Sequence, residues 1–156
     1  MLPRFPASKP LCLHAILLIS IVFLFISSSL LCAQNPKPYV VMLSMDGFRW
    51  DYPDLCPTPN LYRIAARGVK ASLQPSFPSK TFPNHYTIAT GLYPDHHGIV
   101  DNSFYDPTTG RHFSISDRQA EEDPSFYGGE PIWVTAQKNG IISAAFFWVG
   151  SEAAKG

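Results

Sequence analysis

The sequence predicts an α/β domain with a mostly parallel sheet flanked by helices, incomplete within its 156 residues. Three observations carry this. The run "YVVMLSMDG" (39–47) is continuously apolar, as a strand buried on both faces would be. Helix punctuation follows it. A second apolar run, "IISAAFFWVG" (141–150), closes the pattern behind another helix.

Each element has its own reason. In "CPTPNLYRIAARGV" (56–69), Thr58 suits the N-cap and Pro59 the first helical position. Leu61, Ile64 and Ala65 share a face, and Gly68 suits the exit. "VKASLQPSF" (69–77) reads as a second extended segment. Pro83 to Thr90 reads as a helix stopped by Gly91. Residues 92–130 are loop-rich, the mark of a functional excursion, and the loop at 101–130 is expected to help shape a pocket. "PIWVTAQKNG" (131–140) reads as a third helix before the strand at 141–150. Three parallel strands leave both sheet edges open, so the chain is expected to be the N-terminal part of something longer.

The first 33 residues read separately. Arg4 and Lys9 precede a long apolar run that ends in small residues at Ala33. This is a secretory signal pattern with cleavage expected before Gln34; an uncleaved membrane anchor is the alternative. Residues 34–156 form the domain, and an exported location is expected. Without Arg4 and Lys9, ten of the twelve Lys+Arg face twelve Asp+Glu, a net charge of −2. No basic footprint for nucleic acid results. Cys12 and Cys32 lie in the leader, so Cys56 alone remains. A disulfide framework and a Cys-based metal site are both excluded within the domain; Cys56 is expected to be a buried free thiol.

The chemistry centres on "FPSKTFPNHYTIATG" (77–91). Asp46 ends the first strand, where open α/β sheets place ligands and where a carboxylate can hold a metal. Its alternative role is a turn cap with Gly47. Thr81 is either a nucleophile awaiting activation or a plain N-cap. Helix N–H groups and Lys80 would favour an anion beside it. Asn84 lies one turn in and could donate to an oxyanion. Phe82 could stack on a substrate. His85, Tyr62, Tyr86, Phe104 and Tyr105 read as core residues. His96 and His97 read as turn residues, with no metalloprotease spacing.

Together, "SMDGFRWDY", "TPNLYRIAARGV", "PSKTFPNHYTIATGLYPDHHGIVDNSFYDP" and "FFWVGSE" resemble the nucleotide pyrophosphatase/phosphodiesterase family of the alkaline-phosphatase superfamily, from about Val40 to Glu152. The resemblance implies a central sheet with helices on both faces and two Zn²⁺ ions at the strand ends. It implies that Thr81 attacks phosphorus and binds one zinc with Asp46. Asn84 would steady a phosphate oxygen, Phe82 would stack on the leaving or retained group, and Lys80 would add charge. One zinc would activate Thr81 and the other would stabilise the departing oxygen.

The implied substrates are nucleotides or other small phosphodiesters. The family's remaining zinc ligands belong to later blocks, so the chain alone is expected to bind zinc poorly and to turn over little. A secreted phosphate-binding module and a phosphate monoesterase of the same superfamily are the competing expectations.

Overall fold

The computed structural model describes residues 38–153. The expected signal or anchor segment, 1–33, lies outside them. The chain divides after Met42. Of the first unit, residues 38–42 are described, and they carry no regular secondary structure. All that follows concerns the second unit.

In chain order its elements are helices α1 (Tyr52–Leu55), α2 (Pro59–Ala65), α3 (Thr81–Thr90) and α4 (Pro94–His97). Strands β1 (Ser103–Asp106) and β2 (Arg111–Ser114) follow, then helix α5 (Arg118–Glu121), a 3-10 turn (Pro124–Phe126) and helix α6 (Ile132–Lys138). The helices expected at 56–69, 83–90 and 131–140 are therefore present as α2, α3 and α6. Helix α3 begins two residues earlier than expected, at Thr81. Pro83 falls within its first turn, where a missing N–H leaves no helical bond unmade. The helix stops at Gly91, whose left-handed φ of 70° lets its N–H reach Thr87 O at 2.8 Å.

The expected parallel sheet is not formed among the described residues. The stretches at 39–47, 69–77 and 141–150 contain no strand, and most of their apolar side chains lie open. Leu43 is 75% exposed, Val69 95% and Ile142 101%. Parallel strands are stable when both faces are covered, and among the described residues no layer covers these three side chains. The sheet that does form is a two-stranded antiparallel hairpin, β1 with β2, pairing Phe104 with Phe113 and Asp106 with Arg111. Its turn is built by Asp106, which accepts bonds from Thr108 N–H (2.8 Å) and Thr109 Oγ1 (2.7 Å).

The core lies under the stretch expected to be loop. Phe82, Tyr86, Ile99, Phe113, Ala120, Phe126, Tyr127 and Ala153 form one cluster, with Phe104 and Val149 packed against it. Phe82, Tyr86 and Ala89 follow i, i+4, i+7, so one stripe of helix α3 faces this core. Aromatic edges hold it: Phe113 meets Phe126 at 5.4 Å and Tyr86 meets Tyr127 at 5.2 Å. Each such pair adds roughly 0.5–1.5 kcal/mol beyond area burial. The Tyr127 hydroxyl donates to Glu121 O at 2.8 Å, so no polar tip is stranded. The excursion at 92–130 is thus the packed floor that fixes the back of helix α3. Tyr62 and Tyr105, expected in the core, are exposed, as is Cys56.

Candidate active site

The opposite face of helix α3 carries the polar residues. Thr81 and His85 are four apart and share that face. Thr81 Oγ1 donates to Asp46 Oδ2 at 3.2 Å. His85 Nε2 lies 3.9 Å from the other oxygen, Asp46 Oδ1. The two helix residues therefore straddle one carboxylate. Ser44 Oγ stands 2.9 Å from His85 Nδ1, and Trp148 Nε1 donates to His85 O at 3.0 Å. A Ser44 hydroxyl that donates to Nδ1 leaves the Nε2–H directed at Asp46. His85, read from sequence as a core histidine, is thus the inner wall of the site. The signal for it was its i+4 spacing from Thr81.

The helix mouth is held from a distance. Lys80, the N-cap residue, is extended (φ −114°, ψ 161°), and its side chain makes no cap bond. An ammonium has no acceptor to offer. The cap comes instead from Asn102, whose Oδ1 accepts the Phe82 N–H at 3.0 Å. Lys80 Nζ donates to Asp101 Oδ1 at 2.8 Å, and this bond with Lys80 holds the Asp101 carboxyl below its ordinary range. Sequence reading passed over both Asp101 and Asn102. Their signal was a lone Asp-Asn pair between apolar Val100 and the aromatic strand β1.

Asn84 faces the loop before the helix. Its Oδ1 accepts Ser76 N–H (2.8 Å) and Ser76 Oγ (3.0 Å), and its Nδ2 donates to Pro78 O and Lys80 O, both at 2.9 Å. Phe82 is 9% exposed, and its ring lies 6.0 Å from that of Phe113. His97 is fully buried on the core side and His96 pairs with Asp95 at the surface, so neither joins the site.

The donor set suits zinc in part. Two oxygens on one tetrahedral zinc, each about 2.0–2.1 Å from the metal, stand about 3.3 Å apart. The Thr81 and Asp46 oxygens are 3.2 Å apart. Among the described residues no group of three or more His, Cys, Asp or Glu is arranged to hold a metal. Asp46 and Thr81 therefore fit as two members of a ligand set.

A hydroxyl and a carboxylate thus meet at the N-terminus of helix α3, and the ammonium of the preceding residue is held by Asp101. The chain belongs to the type I phosphodiesterase / nucleotide pyrophosphatase family, whose pattern matches residues 40–156. It is 44% identical over 158 aligned residues to an uncharacterized pyrophosphatase/phosphodiesterase of Schizosaccharomyces pombe, covering 94% of this chain and 33% of that protein. It is 45% identical over 132 residues to ectonucleotide pyrophosphatase/phosphodiesterase family member 3 of Bos taurus, covering 78% of this chain and 15% of the relative. Venom phosphodiesterase 2 of Crotalus adamanteus is 45% identical over 122 residues, covering 76% of this chain and 15% of its own length. The chain thus spans about a third or less of these curated relatives.

Proposed function

We propose that this chain carries the nucleophile half of a zinc-dependent phosphodiesterase acting on nucleotide-type phosphodiester or pyrophosphate bonds outside the cytoplasm. The observation that carries the proposal is the Thr81–Asp46 contact at the mouth of helix α3, in a chain of the phosphodiesterase family. Thr81 Oγ1 is the attacking atom. Attack forms an O–P bond to Thr81 as its hydroxyl proton leaves to solvent, and breaks the bond to the leaving oxygen, which takes up a proton. Water oxygen then bonds to phosphorus in a second in-line step, losing a proton as the Thr81–phosphorus bond breaks and Thr81 regains its own. The partial positive charge at the start of helix α3 favours the substrate's negative charge.

Asp46 and Thr81 would hold zinc, which when bound lowers the pKa of an oxygen it touches and draws charge from the phosphoryl group. Asp46 meanwhile takes the Thr81 hydroxyl hydrogen bond and aims the oxygen. Asn84 secures the 76–80 loop, and it would reach a phosphate oxygen only by giving up a bond to that loop. Asn102, whose Oδ1 already serves Phe82, keeps its Nδ2 as a donor near the helix mouth and is the second candidate for that contact. Phe82 is packed in the aromatic core, so it would stack on a base or leaving group only by turning its ring outward.

Replacing Thr81 by Ala tests the proposal. In the protein as its gene encodes it, Thr81→Ala lowers hydrolysis of a chromogenic phosphodiester by about a thousandfold or more. Its unfolding midpoint stays put, because one exposed hydrogen bond is removed. Hydrolysis retained in this variant would rule out Thr81 as nucleophile.

A further inference from the structure

The residues on either side of Thr81 are both tied to one dipeptide about twenty positions later. Lys80 Nζ donates to Asp101 Oδ1 at 2.8 Å, and the Phe82 N–H donates to Asn102 Oδ1 at 3.0 Å. The two grips are linked, because the same Asp101 oxygen accepts the Asn102 N–H at 2.6 Å. The dipeptide is itself anchored. Ile99, two residues before it, is fully buried, and Asn102 O accepts the Ile115 N–H at 3.0 Å beyond strand β2. Helix α3 needs such a grip at its start. Lys80 cannot cap it and Pro83 has no N–H, so Phe82, the second residue of the helix, offers the donor for an outside cap.

We propose that Asp101 is a positioning residue. By holding the Lys80 ammonium and the Asn102 N–H on one carboxylate oxygen, it latches the mouth of helix α3 and sets where the Thr81 hydroxyl stands. Lys80 then works as the cation of the latch. The Lys80 and Asp101 side chains are 51% and 32% exposed, and an ion pair so placed adds little to stability. Its consequence is geometric: a nucleophile displaced by a fraction of an ångström attacks poorly.

The inference rests on Thr81 being the attacking residue, and the test separates the two claims. Asp101→Asn, Lys80→Met, the double variant and Asp101→Glu are compared in the protein as its gene encodes it. Hydrolysis of a chromogenic phosphodiester and hydrogen exchange at the Phe82 amide are both read. The latch predicts that Asp101→Asn and Lys80→Met each lower kcat by roughly 10- to 100-fold, with KM changed by less than about twofold. The double variant is no slower than Asp101→Asn alone. Asp101→Glu recovers part of the loss, and Asp101→Asn speeds Phe82 exchange.

The opposite pattern overturns the latch: Lys80→Met raises KM by about tenfold or more while Asp101→Asn leaves kcat and Phe82 exchange unchanged. Lys80 would then be a direct substrate contact. If the unaltered protein cleaves no diester, the proposed function fails, and Phe82 exchange in Asp101→Asn still decides the latch.

Discussion

The Thr81 hydroxyl and the Asp46 carboxylate meet at 3.2 Å, joining residues 35 positions apart. Neither is drawn there by burial, for the Asp46 side chain is 65% exposed. What brings them together lies behind them. Phe82, Tyr86 and Ala89 seat the helix on the aromatic core, which turns Thr81 and His85 outward. Ser44 and Trp148 then bind the two neighbouring stretches to His85.

His85 should govern how firmly Asp46 is held. Its ring has Asp46 Oδ1 at 3.9 Å on one side and Ser44 at 2.9 Å on the other. Groups that orient a metal-ligating carboxylate typically change affinity by about 10- to 100-fold when removed. His85→Phe keeps a ring beside Trp148 and removes both nitrogens, so zinc affinity in competition with a chelator should fall within that range. His85→Gln keeps a donor near the Nε2 position and should lose less. Equal affinity in both variants and the unaltered protein would show that His85 only packs.

Acid should loosen the floor of the site through His97. The ring is fully buried, its Nδ1 accepts the Ile99 N–H at 3.2 Å, and its Nε2 faces Thr87 Oγ1 at 3.0 Å. Burial pushes its pKa below the ordinary value of 6.5. As pH falls through 6.5 the unfolded chain takes up the proton first. The stabilising contribution of the neutral ring is therefore complete above that value and is lost as pH falls through the lower folded value. Thermal midpoints measured from about pH 8 to pH 5 should drop toward acid, and His97→Gln should flatten that part of the slope.

Gly150 should tolerate no side chain. A Cβ there would lie 2.7 and 2.9 Å from two ring carbons of Tyr86, and its φ of +81° disfavours L-residues in any case. Overpacking and backbone strain each cost on the order of 1–3 kcal/mol. Gly150→Ala should lower the denaturant midpoint accordingly and loosen Tyr86 on the core face of helix α3. An unchanged midpoint would mean that 148–150 does not rest on the helix.

Sequence and structure agree unevenly. Asp46, Lys80 and Thr81 could be read from residue type and from the order of the blocks, and the structure brings Asp46 and Thr81 into contact. Asn102 escaped notice because its cap crosses from another segment, which helix-local rules do not see. The hairpin escaped because its strands are four residues each, too short for alternation to rise above noise, although "DPTTG" marked a turn. The opposite failure came at 39–47, 69–77 and 141–150. Apolar runs call for burial, but among the described residues most of those side chains lie exposed and no ladder forms. The core moved to the aromatics of 92–130, whose spacing follows no single period.

Trapping the covalent intermediate tests the central claim most directly. The protein as its gene encodes it is mixed with a chromogenic phosphodiester, quenched in acid during turnover and digested with trypsin, and the peptide Thr81–Arg111 is mapped by fragmentation mass spectrometry. Thr81 acting as nucleophile predicts a phosphoryl adduct on Thr81 itself, absent in Thr81→Ala. Continued turnover with the adduct on another residue, or with none formed, would contradict it.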